Sequence, residues 1–324
     1  MAYSAEVIRR ARERLSQKKT DHESQYNRQL FEAYQQVPRL KEIDLQLRKT
    51  MTVAAQAAFL KGEDGVKAME QVRDANLSLQ KERKALVEAN FQPGFLEEKA
   101  LCDNCGGSGY VGSTMCSCLK ALCRQEQMTL LAGLTSGNER FENFRLDYYP
   151  EETDPVYRVS PRLLMEKTLA VCKKYAEGFN GTGNLLFTGG TGLGKTFLSA
   201  CIANVVADKG FSVAYESAPQ LFEKLNKNFF NPDDQSRQNA ESLQSADLLI
   251  IDDLGTELTN SFTVAALYSL VNERLLSGKS MIISTNLNVS EIAKRYSPQI
   301  ASRLEGCFKV ATFVGQDIRV KRGV

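Results

Sequence analysis

The 324-residue sequence contains no tryptophan and a single histidine, His22. It also lacks any apolar run near the roughly 18 residues that a membrane-spanning helix needs. Its first residues, MAYSAEVIRRARERL, contain no apolar stretch of signal-peptide length. These absences predict a cytoplasmic protein with no membrane partner.

Charge of one sign is not in marked excess, because 41 lysines and arginines face 39 aspartates and glutamates, for a net charge of +2. That balance neither requires nor excludes a nucleic-acid partner, which would need a local basic face. A hydrophobic content of 43% is ordinary for a soluble globular protein. The length suggests two domains.

Helical periodicity dominates roughly the first ninety residues. Apolar residues recur at helical spacing after Pro38, the pattern breaks at Lys61-Gly62, and a second run begins near Val66. Two long helices folded back as a hairpin fit this pattern. The stretch Arg9–Lys19 carries six basic residues against one acid. A solvated helix face is the simpler interpretation, and a basic arm for a partner or nucleic-acid phosphate is the alternative.

From about Gly183 onward, apolar strands alternate with amphipathic helices. This alternation predicts an α/β fold with a parallel sheet covered on both faces. The predicted strands are NLLFTGG (184–190), FSVAYES (211–217), DLLIIDD (247–253), KSMIISTN (279–286) and FKVATFV (308–314).

A phosphate-binding loop follows the first of these strands and precedes the helix FLSACIANVVADK. Its pattern is G-x-x-x-x-G-K-[ST], in which glycines let backbone N–H groups turn toward an anion at a helix N-terminus. Lys195 is predicted to reach the β- and γ-phosphates of ATP, and Thr196 to offer its hydroxyl to Mg²⁺. The predicted cofactor-binding residues are Gly189, Gly190, Thr191, Gly192, Leu193, Gly194, Lys195 and Thr196.

Polar side chains end the neighbouring strands. Asp252 is predicted to hold Mg²⁺, and Asp253, on the opposite face of the strand, to orient the attacking water. Asn286 ends the next strand and can also hold that water, although a capping or turn role is the alternative. Arg303 suits the charge that spreads over a transferring phosphate, with a surface salt bridge as the alternative.

Four of the eight cysteines lie within residues 102–118, spaced C-x2-C-x10-C-x-C. In a reducing compartment such a cluster indicates metal ligands rather than disulfides. Four thiolates make a closed, structural Zn²⁺ site, and an iron–sulfur cluster is the alternative. His22 lies about 80 residues away, which disfavours a Cys3His site. Exchange of Cys123 for Cys118 is possible, but a packed Cys123 thiol is preferred. The predicted ligands are Cys102, Cys105, Cys116 and Cys118, and the expected buried core cysteines are Cys172, Cys201 and Cys307.

The order of these motifs resembles the AAA+ ATPases, and the local sequence is similar to bacterial replicative helicase loaders of the DnaC/DnaI type. The resemblance covers roughly residues 140–320, and the cysteine segment extends it to about residue 100. It rests on FENFRLDYYP (141–150), GNLLFTGGTGLGKTFLSACIAN (183–204), DLLIIDDLGTE (247–257), STNL (284–287), YSPQIASRLEG (296–306) and VGQDIR (314–319).

This resemblance implies an ATPase, slow and stimulated by DNA or a partner, that delivers the hexameric replicative helicase to single-stranded DNA. It implies that Arg303 acts in trans, so that copies associate head-to-tail through the ATP site. Arg319 lies where some relatives carry a second sensor arginine. The expected DNA-sensing helix contains Lys224, Lys227, Phe229 and Phe230, although a core-facing amphipathic helix explains these residues slightly better.

The expected architecture is an AAA+ P-loop NTPase core with a parallel sheet, preceded by a helical domain with a small zinc-binding module. The predicted domains are residues 1–135 for helicase binding, residues 136–182 as linker and start of the ATPase module, and residues 183–324 as the ATPase core. A transposition-helper ATPase and a nucleotide-gated adaptor with negligible turnover are the alternative functions.

Overall fold

The computed structural model describes residues 3–57, 63–134, 138–155 and 158–318. The chain divides into two compact units, one formed by Arg14–Ser113 and the other by Met1–Glu13 together with Thr114–Val324. The limits at residues 135 and 182 divide the predicted functional domains, and they stay predictions. Among the residues described, no helix is both long enough and apolar enough to span a membrane.

Long helices make up most of the unit Arg14–Ser113. The helices Pro38–Ala57 and Glu63–Asn90 contact each other. Across their interface, the Arg83 guanidinium lies 2.7 Å from the Asp44 carboxylate. The predicted helical hairpin is therefore confirmed. The helices that contribute to this unit are α1 (Ala5–Gln36), α2 (Pro38–Ala57) and α3 (Glu63–Asn90).

The unit formed by Met1–Glu13 and Thr114–Val324 alternates strands and helices as the sequence predicts. Two short strands precede α4 (Ser117–Leu134) along the chain, β1 (Tyr110–Val111) and β2 (Thr114–Met115), and β2 already belongs to this unit. The elements that follow α4 are α5 (Pro161–Glu177), β3 (Leu185–Gly189), α6 (Lys195–Asp208), β4 (Val213–Ser217), α7 (Ala218–Phe230), α8 (Asp234–Ser245), β5 (Leu248–Leu254), α9 (Ser261–Leu276), β6 (Ser280–Thr285), α10 (Val289–Arg295), α11 (Pro298–Cys307) and β7 (Lys309–Phe313).

Five parallel strands form the main sheet, in the order β4-β5-β6-β3-β7. Alternate residues of β3, β4, β5 and β6 enter two separate apolar cores, because successive side chains point to opposite faces. Leu185 and Phe187 belong to the core with α5 and α6, whereas Leu186 packs into the core with α7, α9 and α11. The sheet is thus covered on both faces, which confirms the predicted α/β class.

Three expectations need correction. Cys307 was expected in the core but is exposed at the end of α11. A second helix, α8, follows α7 where one helix was expected. The sequence predicts a helical stretch that begins only after Cys123, but α4 begins at Ser117 and contains both Cys118 and Cys123.

Candidate nucleotide site and cysteine cluster

The predicted phosphate loop joins the end of β3 to the start of α6. A Cβ atom on Gly189 would lie 2.3 Å from the Phe313 carbonyl oxygen, so a side chain cannot be accommodated there. Gly194 has φ +89°, a left-handed conformation that favours glycine, and it immediately precedes the first residue of α6. The loop therefore presents its backbone and the helix N-terminus to one space, as an anion site requires.

Lys195 is the first residue of α6, directly after this loop, and it is only 5% exposed. Its ammonium group donates to the carbonyl oxygens of Gly189 and Gly190 at 2.8 and 2.7 Å. These contacts hold the positive charge beside the loop. The geometry fits the predicted contact of Lys195 with a phosphate chain.

A cavity of about 370 Å³ opens beside the loop. Thr196 is exposed to solvent at its edge, which leaves its hydroxyl accessible to a Mg²⁺ ion. The sequence motifs predicted the loop side of this cavity. The other residues were not assigned a role, although most belong to the segment FENFRLDYYP: Glu139, Asn143, Phe144, Arg145, Tyr148, Tyr149, Phe197 and Ile318.

Tyr149 supports the loop directly. It is 1% exposed, and its hydroxyl donates to the Leu193 carbonyl oxygen at 2.8 Å. Burial raises the pKa of Tyr149 above its usual range, so the hydroxyl stays protonated as a donor. The aromatic segment before α5 therefore both lines the cavity and fixes the backbone of the phosphate loop.

The two acids at the end of β5 have different surroundings. Asp252 is buried, and it accepts hydrogen bonds from the Ser284 hydroxyl and, at 3.0 Å, from the Tyr215 hydroxyl. Burial, and then the Asp252 carboxylate, raise the pKa of Tyr215 beyond its usual range, so Tyr215 remains a donor. Asp253 is exposed and lines the cavity.

A backbone irregularity turns Asp253 toward the cavity. The register of β5 against β6 shifts between Ile251 and Leu254, and Asp253 has φ +55°. Its N–H donates to the Ser284 hydroxyl at 2.9 Å. Simple strand alternation therefore does not set the direction of this residue. The structure brings Asp253 to the same cavity as Lys195 and Thr196, whereas Asp252 is buried and is not among the described residues that line the cavity.

Asn286 and Arg303 are not among the residues that line the cavity. Asn286 is exposed after β6, and its Oδ1 lies beside Gly255 in the turn that follows β5. The Arg303 guanidinium donates to the Tyr268 hydroxyl at 2.8 Å and to Asn272 Oδ1 at 3.0 Å. It also lies 4.5 Å from the centre of the Tyr268 ring. Arg303 is thus anchored on α9. Arg319 falls outside the described residues.

The four clustered cysteines come together. Their sulfur atoms all lie within 4.8 Å of one another, and ligands of a tetrahedral zinc ion would lie about 3.8 Å apart at Zn–S distances of about 2.3 Å. The Cys105 sulfur also accepts the Gly109 N–H at 3.3 Å, the kind of bond that stabilises a thiolate. The donor set therefore fits one Zn²⁺ ion, held by Cys102, Cys105, Cys116 and Cys118.

The other cysteines are separate from this cluster. Cys123 is fully buried in α4, and burial raises the pKa of its thiol to about 11. Cys172 is buried too, with its pKa raised to about 12 for the same reason, and the pKa of Cys201 is raised as well. Protonated, packed thiols are poor metal ligands. This supports Cys118 over Cys123 as the fourth ligand.

Helix α7 has one part that faces the core and one part that is exposed to solvent. Leu221 and Phe222 face the core, but Phe229 and Phe230 at its end are 69% and 59% exposed. Both rings lie 5.6 Å, centre to centre, from Phe262 of α9, which the sequence interpretation did not single out. The two lysines of the helix are in ion pairs, Lys224 with Glu216 and Lys227 with Asp233.

The central part of the chain is similar to known proteins. Residues 165–301 match the family model described as IstB-like ATP binding protein. The replicative helicase loader DnaC of Escherichia coli (strain K12) is 26% identical over 137 residues, which cover 42% of this chain and 56% of that protein. DnaC of Buchnera aphidicola subsp. Acyrthosiphon pisum (strain APS) is 24% identical over 180 residues, 55% of this chain and 70% of that protein. The chain thus spans little more than half the length of the E. coli relative.

Two solved structures are also similar. The crystal structure of the DnaC helicase loader aligns with 19% identity and a TM-score of 0.45, covering 54% of this chain and 98% of that chain. The crystal structure of DnaI aligns with 18% identity and a TM-score of 0.44, covering 56% of this chain and 90% of that chain. The sequence matches confirm the predicted resemblance to the DnaC type of loader.

Proposed function

We propose that the chain is an ATP-dependent loader of the replicative DNA helicase, since its residues 165–301 match the model described as IstB-like ATP binding protein and DnaC helicase loaders are similar to part of the chain. In this role it binds ATP with Mg²⁺ and single-stranded DNA, and it delivers the hexameric helicase to DNA. The observation that carries the proposal is the cavity beside the phosphate loop, where Lys195, Thr196 and Asp253 share one space. Relatives of this domain are named as helicase loaders.

The residues of the proposed nucleotide site have distinct chemical roles. The loop backbone from Gly189 to Gly194 and the Lys195 ammonium bind the phosphates. Thr196, and Asp252 through water, would hold Mg²⁺, which would neutralise charge on the transferring phosphate. Asp253 orients the attacking water, since its carboxylate faces the cavity. Phe144, Tyr148 and Ile318 provide apolar surface for the nucleoside.

Arg303 serves the ATP bound to a neighbouring copy in this proposal. It is absent from the lining of its own chain's cavity, as far as the described residues define that lining, and its contacts hold the guanidinium in place before any partner arrives. Such an arrangement needs head-to-tail association of copies, because the surface that donates Arg303 differs from the surface that receives it. Asn286 supports the water from the same chain as Asp253.

Single-stranded DNA is the proposed ligand of the aromatic cluster formed by Phe229, Phe230 and Phe262. Exposed aromatic rings stack on bases of any sequence, which suits a loader that must sense unpaired DNA. Lys224 and Lys227 lie on the same helix, and they can exchange their ion-pair partners for DNA phosphates. The helical domain with the zinc-binding module is the proposed helicase-binding part.

Turnover and partner binding test this function together. ATP hydrolysis by the full chain is measured alone, with single-stranded DNA, and with DNA plus the replicative helicase of the host. We expect stimulation by each addition, and capture of the helicase by the immobilised full chain. Lys195→Ala should abolish nucleotide binding, whereas Lys167→Ala on an exposed face of α5 is the matched control. No helicase capture by the full chain would refute the loader role. Helicase capture without stimulated hydrolysis would favour the nucleotide-gated adaptor.

A mixing experiment tests the trans role of Arg303. Asp253→Asn and Arg303→Ala should each lose most of the stimulated turnover and keep only a residual rate, but in an equal mixture about a quarter of the head-to-tail interfaces combine an intact Asp253 with an intact Arg303. Activity should therefore reappear on mixing. A mixture as inactive as its components would place Arg303 outside the neighbouring site.

A further inference from the structure

Glu257 is a buried carboxylate four residues after Asp253. It is 6% exposed, and both of its oxygen atoms accept hydrogen bonds. Oε2 accepts the Gly255 N–H at 2.9 Å, and Oε1 accepts the Tyr296 hydroxyl. The Glu257 backbone carbonyl also accepts from the Arg295 guanidinium at 2.7 Å. A buried carboxylate is costly without such partners, so these bonds specify its position.

One side of this carboxylate supports the turn that carries Asp253. The Thr256 N–H and hydroxyl both donate to the Asp253 carbonyl oxygen, at 3.2 and 2.9 Å, and Glu257 fixes the intervening Gly255 N–H. Asp253 has φ +55°, a conformation that a non-glycine residue keeps only where its surroundings enforce it. The Glu257 bond is part of what keeps the Asp253 side chain at the cavity.

The other side of the carboxylate meets the start of the helix that carries Arg303. Tyr296 directly follows α10, and Ser297, the next residue, caps the N-terminus of α11. Burial, and then its bond to Glu257, raise the pKa of Tyr296 above its usual range, which keeps its hydroxyl a donor. Arg303 lies farther along α11.

We propose that Glu257 is a positioning residue that couples Asp253 of the chain's own nucleotide site to helix α11. This inference rests on the proposed function, in which Arg303 acts on the ATP of a neighbouring copy. When Arg303 engages that ATP, α11 shifts with it. The bonds from Tyr296 through Glu257 to Gly255 pass this shift to the turn of Asp253. Hydrolysis in one site thus responds to the nucleotide state of the next.

Removal of the Tyr296 hydroxyl tests the coupling with the smallest change. We expect Tyr296→Phe in the full chain to lower kcat for DNA-stimulated ATP hydrolysis about tenfold, with KM and the affinity for a fluorescent ATP analogue within about twofold. The matched control is Tyr175→Phe. The Tyr175 hydroxyl donates to the Gly183 carbonyl oxygen at 2.9 Å, before β3 and so at the opposite end of the sheet from the turn. This control should keep wild-type kcat.

Two further variants separate positioning from general stability. Glu257→Gln can still accept from Gly255 and bond to Tyr296, so it should retain most of the activity, whereas Glu257→Leu should match Tyr296→Phe. On an Arg303→Ala background, Tyr296→Phe should have little additional effect on residual turnover, because the signal from α11 is already lost.

The outcomes distinguish failure of the proposed function from failure of the coupling through Glu257. A wild-type protein that binds no ATP analogue and hydrolyses no ATP refutes the proposed function itself. A wild-type protein that hydrolyses ATP, with Tyr296→Phe indistinguishable from Tyr175→Phe, refutes the coupling alone. Equal, independent effects of Tyr296→Phe with and without Arg303 also refute it.

Discussion

Arg274 provides a stability test whose magnitude follows from its contacts. The side chain is 1% exposed in α9, and its guanidinium bonds four backbone carbonyls around the end of α8 and the start of β6. The acceptors and distances are Leu243 O at 2.7 Å, Gln244 O at 2.9 Å, Ala246 O at 3.0 Å and Ser280 O at 2.6 Å. Arg274→Met keeps an apolar stem of similar length but removes every one of these donors.

The expected loss is about 3 kcal/mol. Bonds from a charged donor contribute about 1.5 kcal/mol each at the low end of their range, so four contribute about 6 kcal/mol. Burial opposes this, because it lowers the pKa of Arg274 from 12.5 to about 10. That shift corresponds to a cost of about 3 kcal/mol for the charged form at about 1.36 kcal/mol per pKa unit. The difference between these two free energies, about 3 kcal/mol, is the net contribution of the Arg274 side chain that Arg274→Met removes.

Urea unfolding followed by far-ultraviolet circular dichroism measures this loss. The midpoint should fall with the slope m unchanged, since the folded structure and the area exposed on unfolding are retained. Arg237→Met is the matched control, because the Arg237 side chain is 61% exposed and should contribute less than about 0.5 kcal/mol. A loss below about 1 kcal/mol for Arg274→Met would show that the carbonyls find other partners, and would refute the reasoning.

Three further predictions address the metal, the nucleotide loop and a helix cap. Metal analysis should find one zinc per chain, and Cys102→Ser should lose both the zinc and helicase binding while ATP-analogue affinity stays within about twofold; a protein without zinc would contradict this. Tyr149→Phe should weaken ATP-analogue binding about fivefold, the equivalent of about 1 kcal/mol, because the Leu193 carbonyl loses its donor; unchanged affinity would exclude that support. The Ser236 N–H, then Lys227, lower the pKa of Asp233 to about 2, so its capping contribution is present above about pH 4 and lost as the pH falls toward 2. Asp233→Asn should flatten that part of the pH profile of the unfolding midpoint, and an unaltered profile would contradict the assignment.

The sheet and the phosphate loop could be predicted because their signals are local. Four consecutive apolar residues at 248–251 mark a buried strand, and the glycine spacing of residues 189–194 marks a loop wherever it occurs. Helix α8 was missed because its sequence, DQSRQNAESLQS, is polar almost throughout. Among its buried residues, just Ala240 and Leu243 are apolar, so periodicity gives little signal there.

The rest of the candidate site depends on contacts between distant segments. Tyr149 reaches Leu193 across 44 positions of sequence, and no spacing rule connects them. The direction of Asp253 depends on a bulge that Ser284, on another strand, helps to hold. Strand alternation alone assigns the two acids to opposite faces. The structure instead separates them by a change in backbone conformation at Asp253 itself.

The position of Arg303 favours action on a neighbouring copy over action within its own chain. Its guanidinium already has the Tyr268 ring, the Tyr268 hydroxyl and Asn272 as partners, so its orientation is fixed in advance. To reach its own cavity it would have to give up these contacts, and α11 would have to move. In the proposed role on the ATP of another copy, Arg303 can keep its contacts with α9, because the second surface is brought to it and α11 needs only a small shift. A guanidinium that is already held in place lowers the free-energy cost of completing a site. Head-to-tail association therefore explains the contacts of Arg303 with less rearrangement than action within its own chain.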